Sequence, residues 1–202
     1  EPAGAACMQA SIKAGKVQTM AQVNTIADGT AVKTPGEKIF PYVSKNLDDI
    51  ITVEDEELVV AFLDMVENHK MVVENSGLLT VAALKHLDVK HKKVVSILSG
   101  GNMDVITMSS VVQQGLVLRD RIFTVSVLLP DKPGELSRVS DVIAKQSGNV
   151  IKLEHNQFVS INRNAAVELR ITLEAYGTEH KNQIIKALED NGYQPKLVRA
   201  SV

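Results

Sequence analysis

Apolar and polar positions follow two different patterns along the chain, and the change falls just past its middle. Up to about residue 115, short apolar runs alternate with segments in which apolar residues recur every three or four positions, the period of an amphipathic helix. Strands that alternate with helices are typical of α/β proteins with a largely parallel sheet. The pattern predicts helices at 3–14, from 35 onward, at 55–69, at 77–85 and from 104, and strands at 49–53, 71–74 and 93–99.

Two features of this first part mark helix boundaries. Gly15 follows the first helical segment and is well placed to end it, since glycine readily adopts the left-handed conformation of a helix C-terminus. Thr52 stands three residues before Asp55 and predicts a capping box with aspartate in the place of glutamate. Behind this box, Leu58, Phe62 and Met65 repeat at helical spacing.

Strict alternation replaces helical spacing as the main signal in the second part. Residues 167, 169, 171 and 173 are apolar while 168, 170, 172 and 174 are polar, as in a strand with one buried face. The order predicted from about residue 121 is strand, helix, strand, strand, helix, strand, which is the ferredoxin-like βαββαβ pattern. We place the boundary near residues 116–120, between a first domain of 1–118 and a second of 119–202.

Composition excludes several classes of protein. The net charge of −2 is spread over both signs, so there is no basic surface for nucleic acid. No apolar run approaches the ~18 residues that cross a membrane, and no signal peptide is recognisable, so we expect a cytoplasmic protein. A single cysteine, Cys7, forms no intrachain disulfide. Glu1 and Pro2 lead directly into a helical pattern, which suggests a fragment or a processed product.

The apolar run 93–98 ends at Ser99, Gly100, Gly101 and Asn102. We expect a buried strand that presents the Ser99 hydroxyl to a ligand, because ligands of open α/β sheets gather at the carboxyl ends of strands. Two adjacent glycines allow the backbone to turn sharply or to approach a bound group. Taken alone, the same residues also fit an ordinary turn between a strand and a helix.

The motifs, taken together and in order, resemble the carboxyl-terminal half of a threonine ammonia-lyase, a pyridoxal-phosphate enzyme also called threonine dehydratase, in its medium-length form. The resemblance implies that residues 1–118 are the later part of a fold-type-II catalytic domain and that residues 119–202 are an ACT domain, a module that senses amino acids. The implied reaction converts L-threonine to 2-oxobutanoate and ammonia, as in isoleucine biosynthesis, with serine (giving pyruvate) as a second substrate. The motifs that carry the resemblance are Glu1-Pro2 and residues 25–29, 33–37, 72–74, 99–102 and 131–136.

The resemblance also implies roles for single residues. In the family, the serine of the Ser-Gly-Gly-Asn motif hydrogen-bonds the pyridine nitrogen of the cofactor, so Ser99 inherits that role and Gly100, Gly101 and Asn102 become cofactor-binding residues. Glu74 lies near the active site in related enzymes. The family's Schiff-base lysine and glycine-rich phosphate loop have no match in this sequence. We therefore expect no catalytic residue in this chain and no lyase activity from the chain alone.

A cation site is implied at the start of the chain. Glu1 and Ala5 match positions that bind a cation in some relatives, but Cys7 stands where those relatives have aspartate. A soft thiol is a poor ligand for magnesium or calcium, so a monovalent ion fits better. The alternative is that Glu1 is an ordinary helix-start carboxylate. The five histidines show no zinc-like spacing.

The ACT resemblance implies an effector site formed by Asp131, Gly134 and Asn149, with isoleucine or valine as the effector. ACT domains commonly pair side by side, which implies a homo-oligomer. The alternative is that Asp131 and Asn149 are only turn and strand-start residues. A second reading of the whole chain is an inactive fragment that works as an amino-acid-binding and dimerisation module. A third, a serine dehydratase or racemase, shares the first part but usually not the second.

Overall fold

The computed structural model describes residues 1–157 and 167–200. The chain divides into two compact units, Glu1–Gly115 and Leu116–Val202. None of the helices formed by the described residues has the length and apolar character that crossing a membrane requires.

The first unit is built from short helices around one apolar core. Phe62 and Leu58 on the third helix are fully buried, and Val53, Val73 and Leu78 pack into the same cluster. The helices of the chain's first half are α1 (Cys7–Ala14), α2 (Phe40–Asn46), α3 (Asp55–Asp64), α4 (Leu79–Ala82) and α5 (Val105–Leu118). Single turns of 3-10 helix cover Ala3–Ala5, Asp28–Thr30, Asn75–Leu78 and Ala83–His86, and a π-helical turn, Met65–His69, follows α3.

Helix boundaries agree with the sequence at α1 and differ at α3. Gly15 adopts φ +66° and ends α1, as predicted. The predicted capping box of Thr52 and Asp55 is wrong by two residues, because Glu54 is the N-cap and exchanges hydrogen bonds with Glu57. The carboxylate of Asp55 instead accepts hydrogen bonds from the Thr25 hydroxyl at 2.6 Å and from the Ile26 N–H at 3.0 Å.

The three strands predicted in the first unit are wrong, since the described residues do not form them. At 49–53 the backbone makes only one isolated bridge, between Pro2 and Val53, and 71–74 and 93–99 carry no strand pairing. The run 93–99 is mostly exposed, with Val95 at 89% and Ile97 at 73% of full exposure, while Leu98 is partly buried against the core. A strand needs a neighbouring backbone to complete its hydrogen bonds, and none of the described residues supplies one beside this run.

The second unit is a four-stranded antiparallel sheet in the order β2-β3-β1-β4. Two helices join the strands, so the elements follow the predicted βαββαβ order. The strands are β1 (Ile122–Leu129), β2 (Asn149–Asn156), β3 (Val167–Glu174) and β4 (Lys196–Val198), and the helices are α6 (Glu135–Lys145) and α7 (Thr178–Asp190).

Alternation along the strands divides the sheet into two faces. Apolar residues of β1 and β3 form one buried cluster with residues of α6 and α7, and Leu129 is 1% exposed there. On the opposite face, the Thr124 and Thr172 hydroxyls lie 2.8 Å apart and Ser126 donates to Glu168 at 2.7 Å. The alternation that predicted β3 therefore reflects one apolar face and one hydrogen-bonded polar face.

Candidate functional site

Hydrogen bonds hold the segment that contains Ser99 against residues just before and within α4. The Thr80 hydroxyl donates to the Ile97 carbonyl at 3.0 Å. The Glu74 N–H donates to the Gly100 carbonyl at 3.3 Å, and the Asn102 N–H donates to the Glu74 carboxylate at 3.4 Å. These bonds place the Ser-Gly-Gly-Asn motif beside Glu74, two features that the sequence had suggested separately.

Two glycines make this close approach possible. Gly100 has φ +76°, and a Cβ at this position would lie 2.2 Å from the Cδ of Glu74. At Gly77 a Cβ would lie 1.8 Å from the Ser99 carbonyl oxygen. Gly101 is different, since a Cβ there would have the Val72 carbonyl oxygen at 3.6 Å as its nearest neighbour. The turn therefore requires glycine at 77 and 100 for steric reasons, and the second glycine of the motif has no such requirement.

Ser99 itself is exposed, which corrects the expectation of a buried strand end. Within the part of the chain that the structure describes, its hydroxyl is assigned no hydrogen bond, so the group is available to a ligand. The predicted burial of Ser99 is therefore wrong, and its role at a ligand stays a prediction. Burial would need a second layer over the exposed run 93–98, and the described residues provide none.

A cavity of about 340 Å³ lies on one side of the Glu74 carboxylate. Glu74 and Asn102 belong to its lining, which brings two predicted site residues to one place, while Ser99, Gly100 and Gly101 do not line it. The other lining residues were not singled out from the sequence for a role: Asp28, Gly29, Asn75, Ser76, Met103, Asp104 and Thr107. A signal was available, because residues 25–29, Glu74 and 99–102 belong to three motifs of the same resemblance.

The carboxylate of Glu1 lies at the start of α1. Its two oxygens accept the backbone N–H groups of Met8 at 2.9 Å and Gln9 at 2.8 Å, which is the helix-start role named as the alternative. Cys7 is buried. Its burial is the main cause of a raised thiol pKa and the nearby Glu1 charge is the second, so the thiol stays protonated. Among residues 1–157 and 167–200, no three or more histidine, cysteine or acidic side chains are grouped to hold a metal ion. A cation at Glu1 and Ala5 stays a prediction.

The three predicted effector residues lie at two ends of the second unit's sheet. Asp131 and Gly134 follow the Leu129 end of β1, and Gly134 takes φ +91° directly before α6. Asn149 starts β2 and pairs with Glu174, which in turn pairs with Ile122 at the other end of β1. An eight-residue strand separates these ends by roughly 20 Å. One copy of the unit therefore does not bring Asp131 and Asn149 together.

Comparison with known proteins relates the first part of the chain to one protein family. Residues 1–100 match the model of a family described as pyridoxal-phosphate dependent enzyme. That match contains Glu74, the turn glycine Gly77 and the Ser99-Gly100 pair, the residues joined by the contacts above. Residues 1–100 are therefore similar to the pyridoxal-phosphate dependent enzymes.

Relatives of this family align with nearly the whole chain. An L-threonine ammonia-lyase of Geobacter sulfurreducens is 36% identical over 96% of the chain, and one of Thermotoga maritima is 34% identical over 95% of it. The chain spans about half the length of these relatives, 48% in each case. The processed form of threonine deaminase isoform 2 from Solanum lycopersicum superposes with a TM-score of 0.53 at 30% identity, covering 56% of this chain and 34% of that one.

The family and these relatives imply pyridoxal phosphate as the cofactor. The residues of the chain fit the pyridine end of that molecule. Ser99 offers an exposed hydroxyl that can donate to a ring nitrogen.

Proposed function

We propose that this chain is the carboxyl-terminal part of a threonine ammonia-lyase that converts L-threonine to 2-oxobutanoate and ammonia and also accepts serine. One observation carries the proposal: the alignment with two L-threonine ammonia-lyases includes both structural units, not only the matched residues 1–100. The contacts that hold Ser99, Gly100 and Asn102 against Glu74 support it.

In this proposal the residues of the chain bind and orient the cofactor. The Ser99 hydroxyl hydrogen-bonds the pyridine nitrogen, and a neutral hydroxyl does not hold that nitrogen protonated as a carboxylate partner would. Gly100 allows the backbone to approach the ring, and Glu74 fixes the turn through the Asn102 N–H. The bound cofactor supplies the electron sink for loss of the substrate hydroxyl.

The lysine that carries the cofactor would be supplied by residues outside this sequence. The run 93–98 is a suitable place for those residues to pack, because its side chains Val94, Val95 and Ile97 are exposed among the described residues. The test is complementation: the chain is co-expressed with the amino-terminal half of the Thermotoga maritima enzyme, and 2-oxobutanoate formation from threonine and serine is measured. Activity supports the proposal, and a folded complex with bound cofactor but no turnover contradicts it.

Ser99→Ala is expected to weaken cofactor binding in that complemented enzyme. Loss of one hydrogen bond of about 1.4 kcal/mol corresponds to a roughly tenfold higher Kd for pyridoxal phosphate. The measurement is cofactor titration followed by the absorbance of the bound ring, together with turnover of threonine. Ser109→Ala, which removes an exposed hydroxyl on α5, is the matched control and should match the parent protein. Equal cofactor affinity in the Ser99 and Ser109 variants would remove Ser99 from the site.

We further propose that the second unit is an ACT domain that binds isoleucine or valine between two copies of the chain. Asp131 and Gly134 of one copy and Asn149 of the other would complete one site, because a single copy keeps these residues at opposite ends of the sheet. β2 is an edge strand with Val150 at 37%, Ile151 at 45% and Leu153 at 39% exposure, so it can pair with a second β2.

Mixing two defective variants tests this shared site. Asp131→Ala and Asn149→Ala should each lower the affinity for isoleucine at least tenfold, as measured by calorimetry. Each substitution removes a polar side chain that contacts a charged group of the ligand or a residue next to the ligand. A mixture of the two variants, unfolded and refolded together, should recover up to one intact site per mixed dimer. Recovery in the mixture supports a site between copies. Full binding by either variant alone, or a monomer by ultracentrifugation, counts against it.

The alternative function is an amino-acid-binding and dimerisation module without lyase chemistry. The observation that favours it is the complete four-stranded unit, which has its own buried core. If complementation fails while the chain binds isoleucine and dimerises, this alternative replaces the lyase proposal.

A further inference from the structure

The cavity beside Glu74 contains a buried polar atom without a partner. Asn75 is 6% exposed and belongs to the cavity lining. Its amide nitrogen donates to the Ile26 carbonyl at 3.0 Å, which fixes the orientation of the amide. The Asn75 Oδ1 atom accepts no hydrogen bond from any described residue. A buried acceptor without a donor costs about 1–3 kcal/mol, so its retention calls for an explanation.

The charges around this cavity have one sign. Three carboxylates line it, those of Asp28, Glu74 and Asp104, and of the described residues no lysine, arginine or histidine lines it. Asp104 accepts hydrogen bonds from the hydroxyl and N–H of Thr107, which hold the pKa of its carboxyl below the ordinary value and keep it ionised. An anionic ligand would be repelled here, whereas a small cation would be attracted.

The lining also shows which kind of cation fits. Besides the carboxylates, it contains three acceptors, the Asn75 Oδ1 and the hydroxyls of Ser76 and Thr107, and the Asn102 amide, which can both donate and accept a hydrogen bond. The acidic groups of the described chain are not arranged as a metal cluster. An ammonium group carries N–H donors, so it can satisfy the unpartnered Asn75 Oδ1 while the carboxylates of the lining balance its charge.

We infer that this cavity is a subsite for an ammonium ion, which donates one N–H to the Asn75 Oδ1 and is held by the surrounding carboxylates. The cavity of about 340 Å³ also has room for water molecules that complete the contacts of the ion. Free ammonium and the ammonium head of a primary amine share this chemistry. The role of the subsite rests on the proposed function, in which ammonia is a product formed beside Glu74 and Asn102. The binding of the ion itself does not depend on that function.

The test measures ion binding by the chain in the absence of cofactor and substrate. Ammonium, methylammonium, potassium and tetramethylammonium chlorides are titrated at constant ionic strength and pH 7, and binding is followed by calorimetry and by the NMR shift of the Asn75 side-chain amide. Ammonium should bind most tightly, potassium more weakly and tetramethylammonium, which has no N–H group, not at all. Comparison of ammonium with methylammonium distinguishes the free ion from the head of an amine.

Two variants and one control accompany the titration. Asn75→Ala should raise the Kd for ammonium at least tenfold, because it removes a hydrogen bond to a charged group. Gly29→Ala should also weaken binding, since its methyl group would lie 2.9 Å from the Ser76 hydroxyl and 3.4 Å from the Glu74 carboxylate. Asn46→Ala removes an exposed amide with a similar bond to a helix carbonyl, that of Tyr42, and should leave the Kd unchanged.

The outcomes separate this inference from the proposed function. Ammonium binding that is lost in the Asn75 variant supports the subsite even if complementation yields no lyase activity. Equal Kd values for potassium and ammonium, an unchanged Kd in Asn75→Ala, or no saturable binding would overturn it, and the Asn75 oxygen would then be satisfied by water. Active complemented enzyme without ammonium binding would leave the lyase proposal intact and remove the subsite.

Discussion

Replacing Gly100 by alanine is expected to destabilise the first unit by roughly 2–4 kcal/mol. Two effects add. The left-handed backbone at φ +76° is unfavourable for any residue with a Cβ, and the new methyl carbon would lie 2.2 Å from the Glu74 Cδ and 2.4 Å from both carboxylate oxygens. Glu74 would have to leave its position beside the turn and would lose its bond to Asn102.

Gly101→Ala is the matched control for that experiment, since it adds the same methyl group one residue later without steric conflict or a left-handed backbone. Hydrogen exchange read by mass spectrometry separates the two units and reports the stability of residues 1–115 directly. The Gly100 variant should exchange faster across 72–82 and 97–104, and the Gly101 variant should resemble the parent chain. Similar exchange in both variants would mean that the turn is not held against Glu74 in solution.

Leu129→Ala in the second unit is expected to cost about 2–5 kcal/mol, which places it among the most damaging single substitutions in this chain. Leu129 is 1% exposed and packs in the cluster between the sheet and the helices α6 and α7. Truncation leaves a cavity that the close-packed strands cannot fill, since β1 is paired on both sides.

Leu128→Ala is the control, because the neighbouring residue on the same strand is 50% exposed on the opposite side. Its cost should remain within about 0.5–1 kcal/mol. Denaturant titration followed by circular dichroism, with exchange data to assign the transition to residues 116–200, measures both values. A comparable loss in the two variants would show that the burial pattern of β1 differs in solution from that described above.

The second unit could be predicted from sequence almost element by element. Its sheet is antiparallel with one apolar and one polar face, so residues such as Leu169 and Arg170 alternate in the way that a strand with two unlike faces requires. Each strand also finds its neighbours within the same 87 residues, Leu116–Val202. Local pattern and available partners therefore lead to the same structure.

The strands of the first unit could not be predicted in this way, because an apolar run indicates only that a segment prefers burial. The runs around Val73 and Val95 have the composition of buried strands, but no described residue offers them a strand to pair with. Helix α3 was predictable because its apolar stripe and acidic first turn are contained in the segment itself. Its N-cap was misplaced by two residues because Thr52 and Glu54 both fit the local pattern.

The candidate site was predictable where a motif marked it and not elsewhere. Ser99 and Glu74 were identified as members of motifs, and the contacts that join their segments agree with that. Asn75 carries no signature in a single sequence, because a polar residue after a strand-like run is common, and Asp28 was part of a motif but was given no role. Their meaning depends on the cavity they share, which only the fold brings together.

The exposed run 93–98 has a consequence for how this chain behaves at high concentration. Val94, Val95 and Ile97 are exposed apolar residues of a β-favouring stretch that can pair with an identical stretch of another molecule, as in the early steps of aggregation. Lys90, Lys92 and Lys93 stand exposed just before it and act as gatekeepers, because two such stretches brought side by side would oppose like charges. Salt screens this repulsion, so the electrostatic protection against such pairing weakens as ionic strength rises.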